Sequence, residues 1–224
     1  MIVAIDGPAG AGKSTVARAV AKELGLSFLD TGAMYRALAL VALEEGIDLA
    51  DGAALADRLT TLDLHFEGNP DEPRLYIGDR DASTAIRTPA VSAGASAVAR
   101  HAQVRAEMVA RQQQLGRRQG GLVAEGRDMG TVVFPHTPYK IFLVASLEER
   151  ARRRLRDEQQ RAPAEAVTLA QVRLALKERD QADSERAVAP LRQAEDATRV
   201  DTTGLTIEQV IAEVVRLVRQ RAQG

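Results

Sequence analysis

The chain has 224 residues, 45% hydrophobic and 27% charged, a balance that excludes extensive disorder and fits one interrupted α/β core. Its 30 basic and 31 acidic residues nearly cancel, which removes any bulk electrostatic case for a nucleic-acid polymer or an anionic membrane as partner. With no cysteine, disulfides and thiolate chemistry are excluded; with no apolar run near the ~20 residues of a membrane span and no targeting segment before the first strand, a soluble cytoplasmic protein is expected.

The apolar run Ile2-Val3-Ala4-Ile5 predicts a buried strand, and Thr15 to Leu24 predicts a helix. Between them stands Gly7-Pro8-Ala9-Gly10-Ala11-Gly12-Lys13-Ser14. Glycines at this spacing let backbone N–H groups turn inward around a phosphate at a helix N-terminus; the lysine then reaches the β/γ-phosphates and the serine hydroxyl ligates Mg²⁺. A glycine-rich turn that binds nothing would not require the lysine, the serine and both flanking elements together.

After the stop signal at Gly25, Leu26-Ser27-Phe28-Leu29-Asp30 predicts a second parallel strand, and Thr31-Gly32-Ala33-Met34-Tyr35-Arg36 stands at its carboxyl end, where open α/β sheets bind ligands. Helices are expected over Ala37 to Glu45 and Ala53 to Leu62. The alternating segments Leu62 to Phe66 and Arg74 to Ile77, separated by Gly68-Asn69-Pro70-Asp71, predict an inserted antiparallel β element. A long helical region follows from Ala90 to about Arg118, with a break near His101.

Gly121 to Asp128 begins as a third core strand and ends in polar residues, and Lys140 to Val144 is the fourth. Ser146 and Glu149 form a capping box before a helix that carries Arg150, Arg152, Arg153, Arg154 and Arg156. Pro163 breaks that helix around Arg161-Ala162-Pro163-Ala164, which predicts a flap. Thr168 to Arg186 is a further helix, Thr198 to Asp201 a fifth strand, and Ile207 to Val218 an amphipathic C-terminal helix. The three histidines, His65, His101 and His136, are too scattered to ligate a metal together.

A phosphate-binding loop serves hydrolases, motors, switches and kinases, so the second substrate decides. The informative residues are arginines at strand ends, Arg36 and Arg127, with Arg179 and Arg186 on a late helix around Asp180 and Asp183. Converging, they would clamp an anionic acceptor, each guanidinium forking onto phosphate oxygens. Taken singly, an arginine is more often a solvated surface charge, and Arg150 and Arg156 are read that way. A nucleoside monophosphate is already ionised at pH 7 and needs no general base, whereas an alcohol acceptor does. Asp30, at a strand end beside the loop, keeps an alcohol kinase in play, and a non-catalytic nucleotide sensor is a third reading.

The combination of Asp6 to Ser14, Asp30 to Arg36, Gly126-Arg127-Asp128-Met129-Gly130-Thr131-Val132-Val133-Phe134-Pro135 and Arg186-Ala187-Val188-Ala189-Pro190-Leu191 resembles the bacterial cytidylate kinases over essentially the whole chain. The resemblance implies a five-stranded parallel P-loop kinase core with helices on both faces (1–34, 101–149 and 166–224). It also implies a monophosphate-binding region with a small antiparallel β insertion (35–100) and a short helical lid (150–165). The implied reaction is phosphoryl transfer from ATP to CMP or dCMP with Mg²⁺, with a monomer as the default state. ATP would be held by Gly7, Pro8, Ala9, Gly10, Ala11, Gly12, Lys13, Ser14 and Thr15, with Ser14 on the metal. Thr31, Tyr35, Arg36 and Arg127 match the acceptor-phosphate site, and Ser96, Arg105 and Asp183 match positions that read cytosine or its sugar, with Asp128, Arg179 and Arg186 nearby. Lys13, Arg36, Arg127 and Arg186, with Arg153 and Arg154 from the lid, would act on the transferring phosphoryl group. Glu125 stands where relatives carry aspartate, so its reach toward a metal-bound water differs by one methylene.

Overall fold

Alternation along the strands sorts side chains onto two faces, and the fold follows from covering both. In β1 (Ile2–Asp6), Val3 and Ile5 join one apolar cluster while Ala4 joins the other; in β6 (Leu122–Gly126), Val123 faces the first and Leu122 and Ala124 the second. The computed structural model describes residues 1–161 and 167–223. The expected flap around Ala162-Pro163-Ala164, the expected lid residues 162–165, and residues 166 and 224 of the expected core lie outside the described residues.

The main sheet is five-stranded and parallel, in the order β2 (Ser27–Asp30), β6, β1, β7 (Tyr139–Val144), β8 (Thr198–Asp201). One face is covered by α1 (Lys13–Leu24) and α8 (Ile207–Gln223), through Val16, Val20, Val210, Val214 and Val218. The other is covered by α2 (Thr31–Glu45), α3 (Gly52–Thr61), α4 (Pro89–Val98) and α5 (Ala102–Arg118), whose larger cluster includes Leu38, Leu55, Leu59, Val98 and Met108. A separate antiparallel sheet, β3 (Leu64–Glu67), β4 (Arg74–Ile77) and β5 (Arg80–Asp81), lies between α3 and α4 in the chain. A third cluster joins Ala9 of the phosphate-binding loop to Ala151, Val172 and Leu176 of α6 (Leu147–Arg161) and α7 (Leu169–Glu185). No helix among the described residues is long and apolar enough to cross a membrane.

Several boundaries differ from expectation for local reasons. Helix α2 begins at Thr31 rather than Ala37, because Asp30 caps it by accepting the Ala33 amide at 2.8 Å. The helical region after Ile86 divides into α4 and α5, since His101 leaves the helical conformation and its ring nitrogen bonds to the Leu49 carbonyl at 2.8 Å. Residues 129–133 form a single π-helical turn, held by Asp6, whose two carboxylate oxygens accept the Met129 and Gly130 amides at 2.8 and 2.7 Å.

Candidate active site

The strand-to-helix turn after β1 requires glycine first for contact and then for conformation. A Cβ on Gly7 would sit 2.1 Å from the Leu143 carbonyl oxygen of β7, and Gly12, which caps α1, has φ 88°. Lys13 opens α1 with its Nζ donating to the Pro8 carbonyl at 2.8 Å, so the loop closes on its own lysine. Burial, followed by repulsion from Arg127 and Arg179, pushes the Lys13 ammonium down to about 7, against the pull of Glu125 and Asp183. Ser14 Oγ donates to Glu125 Oε1 at 2.5 Å. Burial, and then the neighbouring Asp30 carboxylate, raise the Glu125 carboxyl above its ordinary value.

Two cavities meet at this loop. The smaller, about 210 Å³, is lined by Lys13 together with every residue expected at the acceptor site: Thr31, Tyr35, Arg36, Ser96, Arg105, Arg127, Asp128, Arg179, Asp183 and Arg186. Strand ends supply Asp30, Glu125 and Arg127; α2 supplies Thr31, Tyr35 and Arg36; α4 and α5 bring Ser96 and Arg105; α7 and the residue after it bring Arg179, Asp183 and Arg186. Its side chains are pre-ordered by one another. Arg36 Nη2 donates to Asp30 Oδ2 at 2.8 Å, and the Cβ that Gly32 lacks would crowd this pair at 3.1–3.2 Å. Arg127 Nε donates to Asp183 Oδ2 at 2.8 Å, and Arg105, stacked 5.7 Å from the Tyr35 ring centroid, pairs with Asp128. Arg186 donates to the Ala189 carbonyl at 2.5 Å. Thr31 Oγ1 donates to the Glu125 carbonyl at 2.7 Å, so that hydroxyl proton is committed to holding the strand end.

These pairings leave specific donors over. Among the described residues, Arg36 Nε, Arg105 Nε, Arg179 Nε and Arg186 Nη2 are buried with no hydrogen-bond partner. All four belong to the lining of the one cavity. Five arginines and Lys13 line it against four carboxylates; the arginines alone leave one positive charge in excess, and Lys13 when protonated makes it two. Burial and then the Arg127 charge bring Arg179 down to about 10, while burial pushes the Tyr35 hydroxyl up to about 12.

The larger cavity, about 1250 Å³, runs along the loop from Ala9 to Thr15 and is walled by Arg153, Arg154, Thr202, Leu205 and Ile207. Gly7 and Pro8 do not line it; they shape the loop from behind. Arg153 is tied to Glu149 at 2.8 Å, to Thr202 Oγ1 at 2.9 Å and to the Thr202 carbonyl at 2.7 Å, and Arg154 Nε donates to Glu158 at 2.7 Å.

One expectation is overturned. Arg150 is not a solvated residue of the helix face but is 7% exposed, with its Nη1 on both the Ala9 carbonyl and Asp180. The signal was periodicity, since Leu147, Arg150, Ala151 and Leu155 share one stripe of α6 that packs inward, whereas Arg156 is exposed as expected. Sequence reasoning also missed Asp6 and Asp180 as braces and Thr202, fully buried after β8, as the anchor for Arg153.

Residues 3–220 match the cytidylate kinase family. The chain belongs to that family. It is 47% identical over 215 residues to the cytidylate kinase of Exiguobacterium sibiricum, covering 96% of this chain and 95% of that one. It is also 50% identical over 228 residues to the bifunctional pantoate ligase/cytidylate kinase of Synechococcus elongatus, covering 100% of this chain and 43% of that protein. The chain therefore spans less than half the length of its bifunctional relatives and nearly all of the single-function one. A solved structure of an uncharacterized protein from Eubacterium ventriosum shares the fold, with a TM-score of 0.54, 10% identity and 98% coverage of both chains.

Proposed function

We infer that this chain transfers the γ-phosphoryl group of ATP to CMP or dCMP, giving the diphosphate and ADP. The observation that carries this reading is the small cavity's surplus of arginines over carboxylates and its four buried guanidinium nitrogens without a hydrogen bond, beside a phosphate-binding loop. A phosphate monoester brings ≈ −1.5 to −2 charge and acceptor oxygens only, which complements such a lining. Asp128 and Asp183 place carboxylate acceptors in the same cavity, suited to the exocyclic amino group of cytosine or to sugar hydroxyls. The alcohol-kinase reading loses support because Asp30 is already committed to the α2 cap and to Arg36.

In this reading the loop amides and Lys13 hold the donor phosphates, and Arg36 and Arg127 orient the acceptor phosphate. Arg179 and Arg186 add charge where the transferring group passes, and Arg153 and Arg154 close the donor side. Little covalent work is asked of the protein; positioning and charge stabilisation dominate. Ser14 and Glu125 form a hard oxygen pair of the kind that suits Mg²⁺, which takes one or two carboxylates together with phosphate oxygens and water. Held there, Mg²⁺ would supply positive charge against the charge developing on the transferring phosphoryl group. A monomer is the default reading, and the absence of cysteine is compatible with the cytoplasm. The test is incubation with ATP, Mg²⁺ and CMP: CDP and ADP are expected in equal amounts, and ADP without CDP would make the protein an ATPase instead.

A further inference from the structure

The tip of the phosphate-binding loop, Ala9 and Gly10, lines both cavities, so its position fixes where donor and acceptor phosphates meet. That tip is not held by the loop alone. The Ala9 amide donates to Asp180 Oδ1 at 3.1 Å, and the Ala9 carbonyl accepts from Arg150 Nη1 at 3.0 Å. Arg150 Nη1 also donates to Asp180 Oδ2 at 2.5 Å, and its Nε to the Ala145 carbonyl at 3.1 Å. The ring of contacts is closed: both polar groups of one residue are gripped by an ion pair whose members come from α6 and α7. Apolar packing seats the same residue, with Ala9 buried against Ala151, Val172 and Leu176. The backbone follows it down, since a Cβ on Gly10 would lie 3.3 Å from Arg150 Cβ.

Neither Arg150 nor Asp180 lines either cavity. Their neighbours do: Arg179 and Asp183 on α7 face the acceptor cavity, and Arg153 and Arg154 on α6 face the donor cavity. We propose that Arg150 and Asp180 are positioning residues, which register the phosphate-binding loop against α6 and α7 so that loop, acceptor arginines and donor-side arginines move as one unit. This rests on the phosphotransfer reading above for its kinetic consequence, but not for its mechanical one. Because the Ala9 amide is already taken by Asp180, that amide is a fixing point of the loop and not one of its phosphate donors.

Misplacing reacting groups by about 1 Å costs on the order of 100-fold in rate, while the acceptor cavity's own residues stay intact. The variants Arg150→Ala, Arg150→Lys and Asp180→Asn, with the Arg150→Ala/Asp180→Asn double variant, are examined by amide hydrogen exchange of the loop and by steady-state kinetics. Exchange at the Ala9 amide is expected to rise at least about tenfold in Arg150→Ala and Asp180→Asn, as its bond to Asp180 is loosened. In the same variants kcat is expected to fall at least about 30-fold with KM for CMP within about threefold, Arg150→Lys to recover much of kcat, and the double variant to be no slower than the worse single one. Unchanged loop exchange, a loss confined to KM, no recovery by lysine, or multiplying losses in the double variant would each overturn the assignment. If Arg150→Ala does not fold, Arg150→Lys and Asp180→Asn decide by the same criteria. If the wild-type protein forms no CDP, the functional reading fails by itself and loop exchange alone decides the brace.

Discussion

Asp30→Asn separates the two kinase readings, and its size can be worked from the geometry. Asp30 accepts the Ala33 amide through Oδ1 and Arg36 Nη2 through Oδ2, each at 2.8 Å, with the two side chains only 15% and 19% exposed. Asparagine keeps an oxygen for the cap and is as good a capping residue as aspartate, so α2 loses little. It turns its amide toward Arg36, however, replacing a charge-assisted hydrogen bond in a mostly buried site by a donor facing a donor, a loss of ~1.5–3 kcal/mol. For a chain of this size that lowers the melting temperature by roughly 5 °C. Burial alone would raise the Asp30 carboxyl, but Arg36 and then the Ala33 amide hold it below its ordinary 3.8. The pair's contribution is therefore complete above that pH and is lost as acid carries the carboxyl through its lower folded value, so the stability gap between variant and wild type closes only in that acid range. In a coupled assay of ADP release, loosening Arg36 is expected to raise KM for CMP up to ~10-fold and to cost less than ~10-fold in kcat. A general base would be worth ~10²–10⁴-fold. A kcat loss of that order with CMP binding intact would refute the acceptor argument and restore the alcohol-kinase reading.

Lys13→Ala and Arg127→Ala are each expected to lower kcat by ~10²–10³-fold, the ~3–4 kcal/mol that a group facing developing charge supplies, with circular dichroism unchanged; a wild-type rate in either would contradict the role. Because Lys13 lies near 7 in the free protein and polyphosphate favours its charged form, ATP binding at pH 8 is expected to take up most of one proton. Calorimetry in two buffers of different ionisation enthalpy measures this, and zero uptake would argue against Lys13 meeting the phosphates. Asp183→Ala is expected to reduce the ratio of CMP to UMP efficiency more than it reduces maximal turnover, while also freeing Arg127; an unchanged ratio would remove Asp183 from base or sugar recognition.

The parts of the fold that were legible in the sequence are those whose cause is local. Ile2 to Ser14 writes strand, loop and helix within one short stretch, because the glycines, lysine and serine each answer to a neighbour. Thr198 to Asp201 is likewise a short run with clear borders. Helix α2 starts at Thr31, earlier than the expected Ala37, because Asp30 ends a strand and caps a helix at once, with no residue between the two elements. Strand β5, with two residues, carries too little pattern to be seen alone and exists through its pairing with β4. The π-turn depends on Asp6, 123 residues earlier in the chain, which no window on residues 129–133 contains. At the site, residue types named the chemistry but not their present partners. Arg127 on Asp183, Arg105 on Asp128 and Arg153 on Thr202 are long-range choices made by packing, as is the ion pair that turned Arg150 from a surface charge into a buried brace.

The central claim, that the small arginine-lined cavity accepts a cytidine monophosphate, is tested most directly by comparing kcat/KM for CMP, dCMP, UMP, AMP and GMP with ATP and Mg²⁺ held saturating. CMP or dCMP is expected to lead, with UMP and the purine monophosphates below, because Asp128 and Asp183 offer carboxylate acceptors suited to the cytosine amino group or to sugar hydroxyls in that cavity. Comparable efficiency with AMP or GMP, or no transfer to any of the five, would contradict it.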